Sequence, residues 1–152
     1  MKEKDNPQPQ PLPLRAELRG GRLCVYCPLR RRFVRLTPEE RVRQLFTLHL
    51  IKDLGYPQPL LAHEVSLKVG SLKRRCDTVL YDLQARPRMI VEYKAPSVTL
   101  TQRALDQISR YNLTLRAPYL VLTNGTQLLC CLMDYERQSY RLLPSVPHYS
   151  QL

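Results

Sequence analysis

The chain is 152 residues long, carries 24 Lys and Arg against 13 Asp and Glu for a formal net charge of +11, and is 43% hydrophobic. A chain of this length buries roughly two-thirds of its unfolded surface in one domain without disulfide or metal staples, and no run of about 18 apolar residues exists to span a membrane. The opening MKEKDNPQPQPLP lacks the apolar centre of a secretory signal, and five cysteines with Cys130 and Cys131 adjacent read as reduced thiols, so a cytoplasmic protein without membrane attachment is expected.

Residues 1–14, with Pro7, Pro9, Pro11 and Pro13 spaced by polar residues, read as a flexible arm. Residues 15–36 are a basic segment in which 22–27 forms a short edge strand stopped by Pro28. Cys24 and Cys27 suggest zinc only beside a second ligand pair, which His49, His63 and His148 are not spaced to supply. At Thr37-Pro38-Glu39-Glu40 a hydroxyl takes the N-cap, proline the first helical position and glutamate the third, the pattern of a capping box. The helix that follows sets Val42, Leu45, Phe46, His49, Leu50 and Leu54 on one stripe, with His49 as a core or boundary residue, and stops at Gly55 and Pro57. The period then turns strand-like over 61–69, 77–82 and 88–94, an antiparallel meander.

Helical period returns over 100–115, with Leu100, Ala104, Leu105, Ile108 and Leu115 on one face, and Pro118 ends it. As a crossover, that helix makes strands 88–94 and 119–123 parallel, connected in the right-handed sense. Strands 119–123 and 126–133 flank Asn124-Gly125, two residues that both tolerate positive φ, and a last strand runs 139–143 before a tail at 144–152. The predicted unit, 37–143, is therefore α/β, a mixed β-sheet flanked by helices.

The chemistry concentrates on two of these strands. A hairpin centred on Gln84 and Ala85 sets Asp77 directly opposite Glu92, and opposed strand residues have Cβ atoms roughly 4.5–5.5 Å apart, where two carboxylates repel unless a cation sits between them. Mg²⁺, a hard ion that retains waters and takes one or two carboxylates plus phosphate oxygens, suits such a pair. Lys94 shares the face of Glu92, placed to orient a water or offset charge, while Tyr93 points into the core. Glu64, on the preceding strand, is the candidate to complete the ligand set directly or through water. Lys68, Lys73, Arg74 and Arg75 lead into Asp77, well placed for a phosphate backbone. Gln107 and Tyr111 share one helix face beside Arg103 and Arg110. The competing reading of Asp77, Glu92 and Lys94 is a surface cross-strand salt bridge.

Asp77, Glu92-Tyr93-Lys94 and Gln107-Ile108-Ser109-Arg110-Tyr111, in that order, resemble the D…ExK…QxxxY series of the PD-(D/E)XK nuclease superfamily, in its RecB-like branch. Thr37-Pro38-Glu39-Glu40, Gly55-Tyr56-Pro57, Arg75-Cys76-Asp77, Val91-Glu92-Tyr93-Lys94-Ala95-Pro96, Asp106 to Asn112 and Thr123-Asn124-Gly125 are similar to the N-terminal domain of type I restriction enzyme R proteins, a likeness that covers residues 36–133. The resemblance implies a restriction-endonuclease-like core and Mg²⁺-dependent cleavage of DNA, with Mn²⁺ as a substitute. It further implies Asp77 and Glu92 as metal ligands, Glu64 as the third carboxylate, Lys94 as the catalytic lysine, and Gln107 and Tyr111 as supporting or DNA-contacting residues. Restriction-modification or other partner subunits follow from it, as does a homodimer for two-strand cleavage. Cys76 stands where the nominal motif has proline, and no helicase motor accompanies the domain, so ATP-driven translocation is not carried over. The alternative is a nucleic-acid-binding module that keeps the fold without cutting.

Overall fold

A computed structural model describes residues 14–152, with only the backbone for Val69, Leu72, Arg74, Tyr111 and Thr114. The expected arm lies outside the described residues except for Leu14. The basic segment is no loose extension: β1 (Ala16–Arg19), β2 (Arg22–Cys27) and β3 (Arg32–Arg35) form an antiparallel sheet in which β2 is the central strand, not the edge strand its sequence suggested. Arg19 pairs with Arg22 across Gly20-Gly21, whose φ angles of 55° and 74° give the two left-handed residues that a tight primed hairpin turn requires. Val25 and Cys27 point inward and are fully buried, which ties this sheet to the body of the protein.

Helix α1 (Pro38–Lys52) starts where the capping signal placed it, and the Thr37 hydroxyl accepts from the Glu40 amide at 3.1 Å. The other half of the box does not form. Glu40 turns its carboxylate to Arg30, Arg43 and Gln44 instead, because charge-assisted bonds to guanidinium are about twice as strong as the neutral bond back to the cap. The helix consequently buries two stripes, an apolar one with Val42 and Leu50 and a polar one of Glu40, Arg43, Gln44 and Thr47 at helical spacing. His49, assigned to the apolar stripe, is exposed and bonds Asp53 at 2.7 Å. Gly55 ends the segment at φ 74° under the His148 imidazole, which lies 2.9 Å from where a Cβ would stand. Residues 144–152 therefore pack here: Tyr56 donates to the Pro147 carbonyl at 2.9 Å, the Tyr149 amide donates to Leu54 at 2.8 Å, and Val146 joins the core.

The main sheet runs in chain order, β4 (Leu61–Val69), β5 (Leu72–Tyr81), β6 (Pro87–Tyr93), β7 (Tyr119–Thr123), β8 (Leu128–Asp134) and β9 (Ser139–Leu143). Every neighbouring pair is antiparallel except β6 and β7, parallel across the α2 (Gln102–Leu115) connection. Helix α1 covers one face over Leu80, Met89, Val91, Tyr93 and Val121. The other face packs Cys76, Val79, Ile90, Leu120 and Cys131 with Leu105 of α2. Each fully buried apolar side chain of this size contributes about 1.5–3 kcal/mol. Adjacent Cys130 and Cys131 fall in the two different cores, and burial pushes their thiols up to about 12 and about 11, so both stay protonated. Asn124 and Gly125 do not form the two-residue turn: Gly125 alone takes positive φ, and the Asn124 side chain accepts from the Thr126 and Gln127 amides to hold a four-residue loop before β8. Among the described residues no helix is long and apolar enough to cross a membrane.

Candidate active site

Three strands bring three acids into line. β5 and β6 pair as Thr78 with Val91, Val79 with Ile90 and Leu80 with Met89, so one step further along the same register lie Asp77 and Glu92. On the other side, His63 pairs with Thr78 and Val65 with Cys76, while the intervening Glu64 and Asp77 are skipped because Glu64 sits at φ 53°. A left-handed residue without glycine inside a strand costs on the order of 1–3 kcal/mol and persists only where its surroundings enforce it. Here the enforcement comes from charge. The turn that closes the β5–β6 hairpin supplies the register through Ala85 at φ 59°, with a bulge between Leu80 and Tyr81.

The Asp77 carboxylate accepts from the Tyr93 amide at 2.9 Å, which fixes it against the peptide that joins Glu92 to Tyr93. Behind that peptide runs a neutral polar string in the α1-side core. The Tyr93 hydroxyl donates to Thr78 at 3.0 Å, and the Thr78 hydroxyl meets His63 Nδ1 at 2.7 Å. Burial, reinforced by Arg30 and Arg43, pushes the His63 imidazole down to about 3, so the ring is neutral. Burial likewise pushes the Tyr93 phenol up to about 12. Glu92 is half-buried, and Lys94 follows it with an exposed side chain and a backbone amide that donates to Thr123 at 2.9 Å.

Around the acids stands a ring of guanidiniums. Glu64 meets Arg75 at 2.8 Å and Arg43 at 3.8 Å through one oxygen, and Arg30 at 3.3 Å and Arg32 at 3.8 Å through the other. Partial burial raises the Glu64 carboxyl, yet Arg30, Arg75 and Arg43 together outweigh it and hold the group below the usual carboxylate value. Arg43, with only 7% of its side chain exposed, also stands 3.4 Å from Asp77 and 2.8 Å from Glu40. Glu40 bonds Arg30 as well, and thereby joins the N-terminal sheet to α1. The sequence pattern assigns Glu40 to a helix cap and gives Arg43 and Arg30 no part in the site. The available signal was the spacing of Glu40, Arg43, Gln44 and Thr47, a polar stripe too regular for a solvated face. A cleft of about 760 Å³ opens here, lined by β3, the first turn of α1, Glu64 and Ala95.

Among the described residues no three His, Cys, Asp or Glu side chains converge as a preformed metal cage. Both oxygens of Glu64 face guanidiniums, just as both oxygens of Asp77 are engaged by Arg43 and the Tyr93 amide. Asp77 and Glu92 are neighbouring hard oxygen donors, a set that fits Mg²⁺, since that ion is held by one or two carboxylates and completes its shell with water. Of the basic residues anticipated near Asp77, Arg75 joins the ring, whereas Lys68 and Lys73 are exposed and pair with each other farther along β4 and β5. The Arg74 side chain lies outside the described residues. On α2, Gln107, Arg103 and Arg110 are exposed, and Gln107 makes no hydrogen bond among the described residues; the Tyr111 side chain lies outside them. Cys27 is buried and receives a bond from Arg30 at 3.2 Å, with Cys24 half-buried.

Comparison with known proteins bears on the fold and the family. A family profile described as the type I restriction enzyme R protein N terminus matches residues 38–147. A fragment named as an HsdR subunit of a type I restriction enzyme from Vibrio vulnificus superposes with a TM-score of 0.53 at 21% identity, covering 74% of this chain. The chain spans 24% of that protein's length. A protein from Anabaena variabilis named as a nuclease of the DUF820 group gives 0.48 at 11% identity, covering 85% of this chain and 84% of its own. No curated protein sequence matches the chain.

Proposed function

The chain belongs to the family of type I restriction enzyme R protein N termini, and from that membership and its row of acids we propose that it is a metal-dependent nuclease domain that hydrolyses phosphodiester bonds in DNA. The observation that carries this reading is the β5–β6 register, with Asp77 held by hydrogen bond against the Glu92–Tyr93 peptide and Lys94 two residues on. Asp77 and Glu92 are the residues that would hold Mg²⁺, with Mn²⁺ as a substitute. When bound, the ion supplies Lewis-acid polarisation of a phosphoryl oxygen and a more acidic coordinated water.

The chain's own groups do the rest. Arg43 and the Tyr93 amide fix the two Asp77 oxygens, so the carboxylate keeps its orientation without reorganisation. The Lys94 ammonium, exposed beside the cleft wall at Ala95, orients the attacking water and offsets the charge that builds on the phosphate. Glu64 anchors Arg75 and Arg30 beside the acids and would add to the ion's shell directly or through water. In this reading the domain works within a restriction-modification assembly, and two-strand cleavage takes two copies or two encounters. The guanidinium contacts at Glu64 and Asp77 favour a second reading, a module that binds DNA without cutting it.

Incubation of the purified protein with supercoiled plasmid and with single strands, in Mg²⁺ or Mn²⁺ against EDTA, separates the two. The nuclease reading expects metal-dependent nicking that Glu92→Ala abolishes while DNA binding persists. Nicking unaffected by Glu92→Ala removes that residue from the mechanism.

A further inference from the structure

Residues 14–37 precede the span matched by the family, yet they build one wall of the cleft beside the acids. β3 is the outer strand of its sheet, paired on one side only with β2, and it lines the cleft with Arg32 and Arg35. These two differ from the arginines beneath them. Arg30 and Arg43 are buried in ion pairs, whereas the Arg32 side chain is 65% exposed and its nearest carboxylate, Glu64, lies at 3.8 Å, beyond hydrogen-bond reach. Arg35 is exposed and pairs with no carboxylate among the described residues. Across Glu64 stands Arg75, 66% exposed, with one of its five donors engaged.

Exposed guanidiniums with most of their donors unused, at an open cleft that reaches Glu64 on the strand beside Asp77, complement an anionic polymer. On the nuclease reading, from which this inference proceeds, we infer that β3 is a backbone clamp: Arg32 and Arg35, with Arg75 opposite, grip phosphates of duplex DNA flanking the bond held at Asp77 and Glu92. Such a clamp supplies affinity without reading bases, since phosphate contacts position and base contacts specify.

Binding of a fluorescein-labelled 30-base-pair duplex, titrated in EDTA so that no bond is cut, tests this directly. R32Q/R35Q is expected to raise Kd at least tenfold and to lower the slope of log affinity against log salt by about 1.8, as for two lost phosphate contacts. R32K/R35K should keep that slope. R137Q/R141Q, the same charge removed at and beside β9 on the far edge of the main sheet, should stay within twofold of wild type, and all these side chains are exposed, so Tm should not move. Wild-type affinity in R32Q/R35Q, or an equal loss in R137Q/R141Q, overturns the clamp, and tighter binding of the matching RNA duplex overturns its assignment to DNA. Nicking in Mg²⁺ by wild type with binding indifferent to R32Q/R35Q defeats the clamp alone, whereas a clamp-dependent affinity in a protein that never nicks defeats the nuclease reading alone.

Discussion

Replacement of Glu40 by glutamine keeps the side chain's shape and removes its charge from between two guanidiniums. The side chains of Glu40, Arg43 and Arg30 are 8%, 7% and 10% exposed, so water cannot take over the lost pairing. Removal of one partner from a buried pair costs roughly 3–5 kcal/mol. The low end applies, because Arg43 keeps Asp77 at 3.4 Å and Arg30 keeps Glu64 at 3.3 Å. A loss of about 3 kcal/mol in a chain of this size lowers Tm by about 6–12 °C. Thermal unfolding followed by circular dichroism at 222 nm measures it, and the loss should persist at high salt, since buried pairs are weakly screened. The paired control is Glu39→Gln, whose carboxylate is 47% exposed and 3.9 Å from Arg43, and which should change stability by less than about 0.5 kcal/mol. A Glu40→Gln loss below about 1 kcal/mol, or one that disappears in salt, refutes the argument that this pair ties β2–β3 to α1.

Three further outcomes follow from the same geometry. Native His63 stays neutral down to about pH 3, whereas the unfolded residue gains a proton near its ordinary value of 6.5. Between those values the unfolded state binds more protons, so stability falls as pH falls, by up to about 1.4 kcal/mol per unit, and urea midpoints measured from pH 7 to pH 5 should flatten in His63→Gln. Gly55→Ala forces a left-handed alanine and drives a methyl against the His148 ring, a cost of about 1–2 kcal/mol by chemical denaturation, and His148→Ala in the same chain should recover only the steric share. Lys94→Met should lower the nicking rate by about 10²-fold, the lower end of what a positioned proton-transfer or charge-stabilising group contributes, with duplex affinity within twofold of wild type, and an unchanged rate excludes the amine from the chemistry.

The strands and helices were legible because each has a strong period of its own. Residues 139–143 and 119–123 emerged with their observed bounds, and a hairpin centred on Gln84 and Ala85 gave the correct register of β5 and β6 as far as Leu80, where the bulge breaks it. The N-terminal sheet was obscured by its arginines, whose charge reads as solvated surface, although Gly20-Gly21 between two short strands was a hairpin signal. Glu40 was hidden by its own ambiguity: a glutamate three residues after a threonine is a capping partner by local rules, and only the long-range approach of Arg30 redirects it. Glu64 was found as a candidate acid, but its left-handed backbone and its ring of arginines depend on four segments meeting, which no local pattern encodes. Asn124 was read for its backbone tolerance, whereas its side-chain oxygen does the turning.

The Arg30–Glu40 link bears on where this protein can be cut. The stretch matched by the family profile opens at Pro38, one residue after the threonine that caps α1 and well after the arginine that neutralises Glu40. A version trimmed to the shared stretch would begin with an uncapped helix and a buried anion stripped of one cation, over a core missing Val25 and Cys27. The matched span and the independently folding body therefore differ here, and any minimal version should start upstream of β1.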